Sequence, residues 1–172
     1  LVYFLIAGAL TQLPLFNYLG YEFSALMTIP AAGISGILSI LFMREHRAKP
    51  LTRRTWLYVI LDYIHVNFLL LLIPLAVISF NAFVIKNCAY VKGLLYYLLL
   101  PISTMLFSIS MALIVGVLFR RAIIIFSFIV TVILTQILFV TYTQPQLFAY
   151  NFILGFFPGI TYDETLSDIT PL

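Results

Sequence analysis

The chain has 172 residues, of which 63% are hydrophobic and only 9% charged, with a mean hydropathy of +1.13; an ordinary soluble domain is about 45 to 50% apolar and roughly 25% charged. So little polar surface argues against water as the main solvent and for a bilayer, which accepts Leu, Ile and Phe on the outside of a fold. The net charge of +3 lies in short Arg and Lys clusters of the kind that set membrane orientation, so no nucleic-acid partner is read from it.

A transmembrane helix needs about 20 mostly apolar residues. The stretch Leu1 to Phe16, apolar apart from Thr11 and Gln12, predicts a first span near 1–16, and Asn17 to Glu22, with Gly20, the turn after it. Further spans are predicted near 23–43, 57–84, 94–119 and 122–143, the 57–84 and 94–119 segments being long enough to tilt. The expected fold is therefore an all-α integral membrane bundle of about five transmembrane helices over residues 1–143. Pro30, Pro74 and Pro101 fall inside spans, where a missing N–H predicts kinks. The first apolar stretch lacks a basic leader and a small-residue cleavage site, so a secretory signal peptide is not expected. The start at Leu1 and the uncharged end at Leu172 suggest a portion of a longer chain.

Basic residues near helix ends collect on the cytoplasmic side. Arg44, Arg47, Lys49, Arg53 and Arg54 crowd the loop after the second span, and Arg120 and Arg121 mark the turn between the last two. Lys86 and Lys92, two of the nine basic residues, dissent. The expected topology has a cytoplasmic amino terminus and an extracytoplasmic carboxyl terminus, with Trp56 as an interfacial anchor beside Arg53 and Arg54. The expected location is a bacterial inner membrane, with membrane lipids as surroundings.

Asp62 and His65 stand at i and i+3 in the third span and share a helix face, with Asn67 close by but turned away from Asp62. An unpaired charge at that depth is costly, and carboxylate with imidazole is a proton-relay or ion-binding combination. The plainer reading has Asp62 paired with Arg53 or Arg54 and His65 hydrogen-bonded to a neighbouring helix. In the fourth span Thr104, Ser108, Ala112 and Gly116 recur every four residues, and Ala32 and Gly36 repeat the spacing in the second. Such small-residue stripes let helix backbones approach closely in lipid; a permeation path lined by Ser103, Thr104 and Ser108 is the alternative.

Residues 144–172 predict an extracytoplasmic tail, not a sixth span. Phe148, Tyr150, Phe152, Phe156 and Phe157 suit a membrane interface as a helix or re-entrant stretch, and Pro158-Gly159 marks a turn. Asp163, Glu164 and Asp168 follow in an acidic end read as solvated, with no metal site, since a hard cation wants six or more oxygens. No HExxH, GxSxG, P-loop or dinucleotide fingerprint occurs. Cys88, the sole cysteine, excludes an internal disulfide and lacks a neighbouring histidine to activate it, and His46 sits in the basic loop. No cofactor is specified, bound lipid being the ligand such a surface would take.

The segments PLFNYLGYEFSAL, Pro14 to Leu26, and QPQLFAYNFILGFFPGITYDE, Gln144 to Glu164, resemble parts of uncharacterised bacterial polytopic membrane proteins. That resemblance implies a membrane portion ahead of a larger extracytoplasmic region. The small five-span subunit of respiratory complex I is similar in length and span count, but its glycine-bearing third span is missing here. Three functions stay open on the sequence. The first is a non-catalytic membrane subunit or domain that scaffolds a larger complex, with other membrane subunits or a following domain as partners. A transporter or channel component using Asp62 and His65 is the second, and the membrane portion of an extracytoplasmic hydrolase the third.

Overall fold

The structure, a computed structural model, describes residues 1–14, 16–46, 53–85, 90–143, 149–151 and 155–157, with the side chains at 46, 53–57, 137, 138, 140–143 and in both strands excepted. Five helices follow in order: α1 Val2–Leu10, α2 Tyr21–His46, α3 Arg53–Asn81, α4 Tyr90–Leu118 and α5 Ala122–Thr143. Three of them, over Tyr21–Glu45, Tyr58–Asn81 and Tyr90–Leu118, are long and apolar enough to cross a membrane. Pro30, Pro74 and Pro101 lie inside α2, α3 and α4, each of which runs on through its proline.

Two elements depart from the sequence expectation. The helix expected over 1–16 stops at Leu10, so these nine residues rise only about 13 Å. Thr11 turns its hydroxyl back onto the Gly8 carbonyl at 2.8 Å, and Pro14 has no amide proton with which to continue the ladder. The second lies beyond α5, where a strand pair forms instead of a helix. Where an interfacial helix or re-entrant stretch is expected, Ala149–Asn151 (β1) pairs antiparallel with Gly155–Phe157 (β2), Tyr150 opposite Phe156. Tyr and Phe favour strands, and a glycine beside the short connection lets the chain reverse. The acidic residues Asp163, Glu164 and Asp168 lie outside the described residues, as do Cys88, Lys86, Arg47 and Lys49.

The α2 and α4 helices form the centre, with α1 packed on α3 and α5 packed on both α4 and α2. The core divides along α2. On one side Tyr3, Ala7, Leu19, Phe23, Met27, Leu71, Ile78, Tyr97 and Met105 pack together; on the other Ala32, Ile40, Ala112, Val115, Ala122, Phe126 and Val130 do. Tyr97 stacks on Phe23 with centroids 6.2 Å apart and donates its hydroxyl to the Leu71 carbonyl at 2.8 Å, joining α4 to α2 and α3. Buried hydroxyls on α2 satisfy themselves: Ser24 donates to Gly20, Thr28 to Ala25, Ser35 to Ala31 and Ser39 to Ser35, each onto a carbonyl three or four residues back. Large apolar side chains such as Leu5, Leu61, Leu99, Val117 and Phe128 are exposed on the outside. That is the surface expected of a protein solvated by hydrocarbon.

Candidate functional site

The polar residues of α3 point in two directions. Asp62 and His65 are exposed on its outer face and together line a shallow depression of about 530 Å³ with Leu61, Ile64 and Phe68. Asp62 also edges a second cleft of about 330 Å³ against Phe42, Val59, Tyr63 and Val66, where the Phe42 and Tyr63 rings stack at 5.5 Å. No described residue forms a hydrogen bond or ion pair with either Asp62 or His65. The side chains of Arg53 and Arg54, the partners considered for Asp62, are outside the described residues.

Asn67 faces inward and is 1% exposed. Its Nδ2 donates to the Tyr63 carbonyl at 2.8 Å, while its Oδ1 is buried without a hydrogen-bond partner. The five-residue step from Asp62 turns about 140° around the helix, so the acid and the amide cannot share a chamber. The structure therefore brings Asp62 and His65 together and leaves Asn67 apart from them.

The small residues meet in the interior. Ser108 of α4 donates its hydroxyl to the Ala32 carbonyl of α2, and Ala32 and Ala112 share one core cluster. A Cβ on Gly116 would come within 2.8 Å of the Met43 side chain, and one on Gly36 within 2.0 Å of the Phe126 ring of α5. Thr104 is buried on the same side of α4, whereas Ser103 is exposed. Ser103, Thr104 and Ser108 thus do not line one path, because Thr104 and Ser108 sit within packed surfaces.

Sequence reasoning passed over α5. Ser127, Thr131 and Thr135 recur every four residues on its exposed side, and Gln136 lies beside them. A depression of about 370 Å³ runs over Thr131, Val132, Thr135, Gln136 and Phe139. The Thr131 and Thr135 hydroxyls bond the Ser127 and Thr131 carbonyls, both at 2.8 Å. The spacing that identified the α4 stripe was the available signal.

The two ends of the bundle differ in charge. At one end Arg44 Nη2 donates to the Arg120 carbonyl at 3.2 Å, so the carboxyl ends of α2 and α4 adjoin. At the other, Asn81 Nδ2 donates to the Asn17 carbonyl, and Ser79 and Tyr90 share a hydroxyl hydrogen bond of 2.7 Å. The start of α4 is also here, its Gly93 so close to the Leu19 carbonyl that a Cβ would lie 2.0 Å from that oxygen. Tyr18, in the turn between α1 and α2, has its hydroxyl pushed above the usual tyrosine range by burial first and then by the charge of, and hydrogen bond to, Glu22. Among the described residues no three His, Cys, Asp or Glu side chains converge as a metal site would require.

Compared with protein-family models, with curated proteins and with solved structures, the chain matches none.

Proposed function

We propose that this chain is a non-catalytic membrane subunit or membrane domain that scaffolds or anchors a larger membrane complex. The observation that carries the reading is the outward placement of Asp62 and His65 on α3. A charged group facing lipid costs about 2.5 to 3.5 kcal/mol at a helix centre and less toward its ends, and contact with another protein surface would lower the cost for Asp62 and His65. Gln136 with the exposed Ser127, Thr131 and Thr135 gives α5 a second outer face suited to helix contact in lipid.

In this reading α5 joins α2, α3 and α4 as a span, α1 lies within the membrane against α3, and the Arg44 to Arg120 end is cytoplasmic. The amino terminus is then inside, the carboxyl end outside, and the setting a bacterial inner membrane. Purification in mild detergent, with mass spectrometry of everything that copurifies, tests the assembly. Stoichiometric membrane partners support it, and a chain that is always recovered alone and active by itself overturns it.

A second reading, a transporter or channel component, is favoured by one observation, the orphaned Oδ1 of buried Asn67. A permeant cation or water passing the inner face of α3 would give that oxygen a partner. Flux in proteoliposomes that vanishes in Asn67→Leu supports this reading, and absence of flux with partners present removes it.

A further inference from the structure

We propose that the outer face of α3 is the contact between two copies of this chain, held in register by reciprocal pairs between Asp62 of one copy and His65 of the other. The proposal rests on the reading of the chain as a part of an assembly and names one member of it, a second copy of itself.

Along α3 the exposed residues Tyr58, Asp62, His65, Leu69, Leu72 and Ala76 are separated by four, three, four, three and four positions. That is the heptad spacing of a helix seam, in which alternate steps of three and four keep one stripe turned toward a partner helix. No described residue covers the seam. Of the three helices long enough to cross a membrane, α3 has 28% of the residues in its apolar stretch buried, against 50% for α2 and 39% for α4, so among these three it has the most surface left to give. Tyr58, Leu69 and Leu72 supply apolar contact, and Ala76 permits close approach at the far end.

The two ionisable groups decide the occupant. Counted from Tyr58, where the apolar span begins, Asp62 lies about 6 Å and His65 about 10 Å along the helix. In a two-fold contact, residue i of one subunit meets residue j of the other and j meets i. With the axis along the membrane normal the two α3 helices run parallel, so each seam residue lies level with its own copy, and the step of three that separates Asp62 from His65 sets each acid diagonally, about 4.5 Å along the axis, from the other copy's imidazole. The seam then holds two carboxylates and two imidazoles, each acid flanked by the other copy's imidazole. A second copy carries an acid and a base on the matching face already. A polar pair on an otherwise apolar seam also fixes register, the best-attested role of such groups.

The test is charge exchange in the full chain. Native mass spectrometry from nanodiscs is expected to give two copies for the unaltered protein. Asp62→His carries two imidazoles on the seam and His65→Asp two carboxylates, so each alone is expected to lose the two-copy mass. Coexpressed with different tags, the two variants restore both pairs, and they are expected to copurify in equal amounts. A seam readout independent of charge is Leu69→Cys in a Cys88→Ser background, which is expected to crosslink between copies on oxidation at least tenfold more than Leu99→Cys on the exposed side of α4. One copy per particle in the unaltered protein, or coexpressed variants that do not associate while each is helical and monodisperse, overturns the proposal. Other membrane proteins recovered stoichiometrically without a second copy would leave the assembly reading standing and remove this contact. Two copies and nothing else would do the reverse.

Discussion

The Arg44 guanidinium donates a hydrogen bond to the Arg120 carbonyl across 76 residues of sequence, which puts the carboxyl ends of α2 and α4 at one end of the helices. The Asn81 to Asn17 bond and the close approach of Gly93 to Leu19 define the other end. In sealed inverted and right-side-out vesicles, a membrane-impermeant maleimide is therefore expected to label Glu45→Cys and Arg121→Cys from the same side, in a Cys88→Ser background. Gln12→Cys and Lys92→Cys should be labelled only from the opposite side. Labelling of Lys92→Cys together with Arg121→Cys contradicts the arrangement.

Gly36 and Gly33 lie three residues apart in α2 and predict opposite outcomes. A Cβ at Gly36 would enter the Phe126 ring, while one at Gly33 meets nothing within 4 Å. Gly36→Ala is expected to destabilise by about 1 to 3 kcal/mol, the usual cost of overpacking. Gly33→Ala should be neutral or stabilise by up to about 1 kcal/mol through helix propensity. Thermal unfolding in one detergent gives both values, and Phe126→Leu combined with Gly36→Ala should recover part of the loss.

Asn67 carries a buried acceptor with nothing to accept. Replacing it with Leu, of similar volume, removes that acceptor and one intrahelical bond together. The expected melting temperature is unchanged or higher, because an unmade buried hydrogen bond costs more than an absent one. Asn67→Asp, which buries a carboxyl group in the same place, is expected to lower it. A large loss in Asn67→Leu would mean that the oxygen has a partner in the working protein.

Tyr18 predicts a dependence on alkaline pH. Its hydroxyl is held above the usual tyrosine range by burial and by Glu22, so the folded state keeps the proton after the unfolded chain has lost it. The stabilisation is complete below the unfolded value of about 10 and is lost as pH rises through the folded value. The phenolate absorbance titration of the chain's 11 tyrosines should lose one late component in Tyr18→Phe, and that component should move to lower pH in Glu22→Gln. No change in either variant would contradict the Tyr18 to Glu22 contact.

Length and hydropathy carry the long helices into view, since a run of apolar residues ended by a charged loop has few other solutions in lipid. The α5 bounds read from sequence, 122–143, match the structure, and those of α2 to α4 fall within a few residues. What hydropathy could not convey is direction. These helices are apolar almost all round, so no amphipathic stripe separates inside from outside. Asp62 and His65 were recognisable as a pair, but only the packed structure shows them facing away from the bundle. For the same reason Gly36 could be read as a packing residue without any indication that it receives Phe126 of α5. The α1 terminus and the strand pair beyond α5 depend on local turn chemistry around Pro14 and Gly155, which a span-length window averages away.

The self-contained hydroxyls of α2 bear on how the protein is made. Ser24, Thr28, Ser35 and Ser39 bring their acceptors with them on their own helix, so α2 can leave the insertion machinery and enter lipid as a solitary segment without waiting for a neighbour. Ser108 of α4 instead finds its acceptor on Ala32, a residue synthesised 76 positions earlier. Biogenesis then has a built-in order, in which the first long helix needs no escort and the later one arrives to a docking carbonyl already in place.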